Sequence, residues 1–270
     1  VEKFMTKYNY CVLSTTASEK YNGAPVLNDK GQIVGIYNSN GTLQSATDAK
    51  YANDFVLTGL SQNDPTLLQS GIRIALPQQP DEAIIALMLS ATKIESLRMA
   101  TINDFLQKFP TLNNGYVILA TKLLANGEVA EADKTLQQAI AKTTAKDEAH
   151  YNYGRLIFQG VTTAAIADKA KAQGWTLDKA MNEANEAYKL NPAPVYKHLQ
   201  AQIVYTKGNY QQAYHDFEAL TNTPIKNPEL YLEMAQCQEK LNASNEAVLA
   251  LLNQCVELCD TPYMETSSPY

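Results

Sequence analysis

Long apolar runs are what this 270-residue chain most plainly lacks. No stretch reaches the roughly 18 consecutive apolar residues that a membrane-spanning helix needs, so no transmembrane segment is expected. Cysteine is scarce: Cys11, Cys237, Cys255 and Cys259 do not make a disulfide framework at this length. Cys255 and Cys259 are one helical turn apart, with Cys237 expected on the facing helix. A Cys237–Cys255 bridge could form in an oxidising compartment, but buried thiols acting as small hydrophobes are the preferred reading. No further ligands stand at zinc-like spacing, so neither a metal nor another cofactor is expected. Histidine is absent before His150, and His150, His198 and His215 are the only three. An excess of positive charge is missing as well. The net charge is −6; residues 1–79 balance six basic against six acidic groups, which leaves 16 basic and 22 acidic in the remainder. That balance repels a phosphate backbone and no basic stripe offsets it, so nucleic acid is not an expected partner. The sequence starts at Val1 without the basic, apolar and small-residue succession of a signal peptide, and the expectation is trimming of a longer product.

What is present falls into two regions of different period. Residues 10–16 are β-branched and aromatic, and residues 32–37 alternate around Gly35. Asn28-Asp29-Lys30-Gly31 and Asn38-Ser39-Asn40-Gly41 carry turn chemistry. A further strand is expected over residues 54–57. Asp64 as N-cap and Pro65 at the first helical position predict a helix through residues 67–74. The run PQQP at 77–80 separates a domain of residues 1–79 from a helical one of residues 80–260, with 261–270 as a polar tail. Five helix pairs are predicted: 81–90 with 94–108, 114–124 with 129–141, 148–159 with 177–190, 195–206 with 210–220, and 229–241 with 245–258. Pro110 and Pro192 stop helices because proline cannot continue one, and Gly127 and Gly208 reverse the chain. The third pair carries an alanine-rich insertion near 160–174, which predicts an extra helical turn or two before the lone Trp175.

Small residues recur within these pairs: Ala120 and Ala132, Gly154 and Ala180, Ala201 and Ala213, Ala235 and Ala247. Three of the four gaps are 12 residues, and the last copies lie 33 and 34 residues apart. Small side chains let paired helices approach closely. One turn later Leu136, Ala184, Phe217 and Leu251 are expected to bury against the following hairpin. Over residues 94–260 this pattern resembles the tetratricopeptide repeat family, with the family's first-helix aromatic partly represented by Tyr116, Tyr196 and Tyr231. A repeat of this period marks a stacked helix-hairpin array. The resemblance implies that first helices line a concave face. It places Asn114, Thr121, Tyr151, Arg155, His198, Gln202, Tyr205 and Gln236 there as ligand contacts. For Tyr151 and Tyr205, packing between neighbouring repeats is the alternative. The family's clamp for a terminal carboxylate is not reproduced, because Leu199 stands where a basic residue would be expected.

Residues 21–36 (YNGAPVLNDKGQIVGI) resemble the nucleophile loop of trypsin-like serine peptidases. That loop reads Gly-x-Ser-Gly-Gly/Ser-Pro-Val, then a turn and a strand ending Val-Gly-Ile. Aligned on Gly23, Ala24 and Pro25, Asn22 takes the nucleophile position and Lys20 the place of the oxyanion-loop glycine. A carboxamide is no activated alcohol and forms no acyl-enzyme. No histidine lies in this region to complete a relay. Ser14 and Ser18 read as strand or turn residues. The resemblance therefore implies a degenerate, truncated domain, and half a barrel leaves strand faces and edges uncovered: either a portion carrying the first barrel preceded Val1, the preferred reading, or the β segment docks on the first helices. Peptidase-like domains fused to helical repeats are familiar among bacterial envelope proteins, so it also implies export to the periplasm or beyond.

The fold class expected is α+β, mainly α: a tetratricopeptide helix-hairpin array after a small β region resembling the C-terminal half of a trypsin-like double barrel. The expected function is a non-catalytic scaffold that binds a protein or peptide. Two alternatives stay open, a serine-peptidase fragment whose repeats recruit substrate and an assembly subunit of an envelope complex.

Overall fold

The structure is a computed structural model and describes residues 1–4, 6–54 and 75–259. The chain divides into two units, Val1–Ile74 and Ala75–Tyr270. In the first, β1 (Glu2–Phe4), β2 (Tyr8–Val12), β3 (Pro25–Leu27), β4 (Ile33–Ser39) and β5 (Gln44–Asp48) form one antiparallel sheet in the order β1-β2-β5-β4-β3. A short helix, α1 (Tyr51–Asp54), follows. The β3–β4 hairpin turns through Asn28, whose Oδ1 accepts from the Lys30 and Gln32 amides at 3.0 Å each. Gly31 completes the turn at φ +75°, a conformation that costs glycine little.

The strand expected over residues 10–16 is shorter at its C-terminal end and begins earlier. Tyr10, Cys11 and Val12 pair with Thr47, Ala46 and Ser45. The Leu13 amide then bonds Gln44 O at 2.8 Å, where β5 begins and the ladder runs out of partners. Asp54 ends α1 instead of opening a strand. The rest of that expectation, with the helix over 67–74 and the tail of 261–270, lies outside the described residues.

The second unit contains α2 (Pro80–Leu89), α3 (Glu95–Lys108), α4 (Asn113–Ala125), α5 (Val129–Lys142), α6 (Lys146–Thr162), α7 (Ala167–Ala172), α8 (Leu177–Leu190), α9 (Pro194–Thr206), α10 (Tyr210–Leu220), α11 (Pro228–Lys240) and α12 (Asn245–Glu257). Helices pair as α2/α3, α4/α5, α6/α8, α9/α10 and α11/α12. The second member of each pair packs on the first member of the next. Ala120, Ala132, Ala180, Ala201 and Ala213 are all fully buried, as their place between helices requires. Gly154 has no room to spare: a Cβ there would lie 2.9 Å from Ala180 O. The array is thus built as the tetratricopeptide resemblance implies.

The last pair departs from the expected register. Four residues join α11 to α12, with Asn242 at φ +56°, whereas three join α4 to α5 and α9 to α10 through Gly127 and Gly208. The added residue rotates the final helix by one position. Ala247 is exposed, Val248 takes the buried place, and Leu251 is only half-buried while Cys255 is 1% exposed. Cys237 and Cys255 are buried free thiols, and burial pushes the Cys237 thiol up to about 12.

The insertion in the third pair folds as α7 and returns through Trp175, which is 1% exposed. Its ring lies over Gly160, where a Cβ would come within 2.8 Å of two ring atoms. Glycine at 160 therefore admits the indole to the core of the array.

Candidate functional site

First helices stand beside one another: α4 touches α6, and α6 touches α9. Three of them, α4, α9 and α11, have 13 residues, but α6 has 17 and its extra turn carries Thr162. Beside that turn opens a cavity of about 280 Å³. Phe158 and Thr162 of α6 form one wall, Gln202, Tyr205 and Thr206 of α9 the middle, and Glu233 and Gln236 of α11 the far side. Phe217 of α10, itself 1% exposed, closes it from the second-helix layer.

Glu233 is the charged group of this cavity, with its side chain 13% exposed. His198 Nε2 lies 2.6 Å from one carboxylate oxygen, and Gln202 Nε2 donates to the other at 2.8 Å. These bonds tie α9 to α11. Burial opposes a charged imidazole at His198, but the Glu233 hydrogen bond and the charges of Glu233 and Glu229 outweigh it and raise His198 above its ordinary value. The same imidazole meets the Phe217 ring edge to face, centroids 5.9 Å apart. Tyr205 packs edge to face on Tyr210 at 5.2 Å, and burial raises its hydroxyl. The site therefore offers aromatic walls, two carboxamides and one anchored carboxylate, an arrangement suited to recognising a side chain by shape and charge.

Of the contacts expected from the sequence, Gln202, Tyr205 and Gln236 line this cavity, and His198 stands one hydrogen bond behind it. Tyr151 does not line it. Its ring packs on Tyr196 with centroids 5.0 Å apart, and the Tyr196 hydroxyl donates to Asp147 Oδ2 at 2.9 Å. Arg155 is half-buried on α6 one turn beyond Tyr151, whose hydroxyl feels its charge. Asn114 is exposed and Thr121 half-buried on α4, neither in the cavity lining. Phe158, Thr162, Thr206, Phe217 and Glu233 were not among the expected contacts. Two signals pointed to them: the surplus length of the third pair, which extends α6, and the i, i+3 spacing of Glu233 and Gln236 on α11.

In the β unit, Asn22 follows a short 3-10 turn of residues 19–21 and is committed to the fold. Its Nδ2 donates to Ser39 O at 3.0 Å, and its Oδ1 accepts from the Ser39 amide at 2.6 Å. Gly23, at φ +87°, and Ala24 continue this link to β4, with the Gly23 amide on Tyr37 O at 2.9 Å and the Tyr37 amide on Ala24 O at 2.8 Å. Pro25 opens β3. His150 pairs with Glu183 at 2.7 Å and His198 with Glu233, so both belong to the array and not to this loop.

No protein-family model matches the chain, and no curated protein matches it. Among solved structures it is similar to a crystal structure of MamA, at 14% identity over 60% of this chain and 86% of that one, with a TM-score of 0.44. It is similar to PilF of Pseudomonas aeruginosa at 19% identity over 66% and 75%, TM-score 0.47. It is also similar to YrrB, described as a TPR protein with an unusual peptide-binding site, at 12% identity over 72% and 90%, TM-score 0.43. The hairpin array of this chain rests on its own helix order and packing. Among the described residues no helix is long and apolar enough to cross a membrane.

Proposed function

We propose that the helical unit is a non-catalytic scaffold whose first-helix face binds a protein or an extended peptide. The observation that carries this is the cavity lined from three successive pairs, α6, α9/α10 and α11. A ligand side chain seated there would touch helices already held by the repeat core, so little ordering is lost on binding. Aromatic residues in a recessed, partly desolvated setting are the usual anchors of such contacts. Panning a random peptide display library on the immobilised full chain tests the reading. Recovered peptides should lose binding to Tyr205→Ala combined with Gln236→Ala, with helical circular dichroism retained. Failure to recover any peptide, or unchanged binding by the double variant, removes it.

For the β unit the proposal is a degenerate trypsin-like region without peptidase activity, and export to the envelope goes with that likeness. Its support is the motif of residues 21–36 and the double hydrogen bond that occupies the Asn22 carboxamide. A fluorophosphonate probe should leave the full chain unlabelled. A labelled serine would restore the peptidase alternative.

A further inference from the structure

The cavity holds a carboxylate where an apolar pocket would have none. Glu233 is largely buried, and among the described residues His198 and Gln202 alone bond its two oxygens. An ionised carboxylate has about four acceptor positions, so room for further donors remains on the cavity side. Phe158, Tyr205 and Phe217 surround the same space, and aromatic faces attract cations. The neighbourhood is acidic beyond Glu233: the charge of Glu229 reaches His198 and that of Glu239 reaches Tyr205, both from α11. A protonated His198 would offset one of these three charges.

We infer that the cavity between α6, α9 and α11 is a specificity pocket for a cationic side chain, arginine or lysine, of the bound peptide, with Glu233 as its counter-charge. This deepens the scaffold reading and rests on it. An acidic ligand group would meet Glu233 and the α11 glutamates as like charges. A purely apolar one would take water from the carboxylate and return no hydrogen bond, which costs free energy. A guanidinium or ammonium answers both demands: its head meets Glu233 and the carboxamide oxygens of Gln202 and Gln236, while its methylene stem lies along Phe158 and Tyr205.

The test titrates the full chain with N-acetyl-arginine methylamide and, separately, with N-acetyl-citrulline methylamide, which has nearly the same shape and no charge. Backbone amide resonances of α9 and α11 are followed by NMR. The arginine probe should bind about tenfold or more tightly than citrulline, the order of one charge-assisted hydrogen bond in a desolvated site. Glu233→Gln should bring the two probes to equal affinity. Gln236→Lys, which sets a fixed cation beside Glu233 and removes no charge from the fold, should lose the arginine preference as well. Equal binding of both probes to the unaltered chain, or an arginine preference that survives both substitutions, overturns the proposal. An arginine preference with no peptide recovered by display would sink the scaffold reading and leave the cation pocket standing. Recovered peptides with no basic residue in common would do the reverse.

Discussion

The indole Nε1 of Trp175 donates to Asp133 Oδ1 at 2.6 Å, which ties the inserted segment of the third pair to the second helix of the pair before it. The same buried carboxylate accepts from the Tyr153 hydroxyl and, at 3.1 Å, from Lys179 Nζ. Its other oxygen accepts from Gln137 Nε2 at 2.8 Å. Asp133→Ala would leave buried donors without an acceptor, each a desolvation cost of its own. A loss of about 2–4 kcal/mol is expected, read by urea unfolding with Trp175, the only tryptophan, as the fluorescent reporter.

Acid should dismantle the same junction. Burial alone would raise the Asp133 carboxyl, but hydrogen bonds from Tyr153, Trp175 and Lys179 and the Lys179 charge outweigh it and hold it below the usual carboxylate range. A depressed folded value means that the stabilisation is present above the unfolded value, about 3.9, and is lost as pH falls through the folded one. Asp147, held low against burial by Asn191 and Tyr196, contributes in the same direction. Stability measured downward from pH 5 should fall less steeply in Asp133→Asn than in the unaltered chain. Parallel acid limbs would contradict the assignment.

Gly154→Ala should destabilise, although alanine is the better helix former by about 1 kcal/mol. The new Cβ would meet the backbone carbonyl of Ala180 at 2.9 Å and the Ala184 amide at 3.2 Å, so α6 and α8 must separate. A cost of about 1–3 kcal/mol is expected for overpacking of this kind, measured as the shift of the chemical unfolding midpoint.

The rotated last helix makes a paired prediction. Val248→Asp places a charge in the buried position and should cost several times what Ala247→Asp costs. The latter, on an exposed site, should stay within about 0.5 kcal/mol. Thermal unfolding of the two variants decides between the observed register and the one that a constant spacing of 12 would impose.

That register shows where the sequence stops being legible. Pairs of helices were readable because Pro110, Pro192, Gly127 and Gly208 punctuate a steady period, and small residues meet where axes come close. The slip at α12 was not, because Asn242 does the work of a turn glycine in a loop one residue longer, and an alanine stands at the expected count by coincidence. In the sheet, β4 was readable from its alternating apolar residues. β5 (QSATD) was not, since it has no apolar alternation, yet it lies between β2 and β4 with Ser45 and Ala46 buried. Ala46 and the Thr47 carbonyl of β5 leave no room for a side chain at Gly35, where a Cβ would lie 3.0 Å from that of Ala46. The candidate site was half legible. Gln202, Tyr205 and Gln236 follow from counting first-helix positions, but Glu233 acquires its meaning from His198 on another helix and Phe158 from the lengthened α6.

Hydrogen exchange of the full chain, with and without a display-selected peptide at saturation, reads directly where the ligand lies. Exchange should slow in the last turns of α6, along α9 and in the middle of α11, with the β sheet and α4 unchanged. Protection confined to other elements, or none at saturation, would contradict binding by the first-helix face.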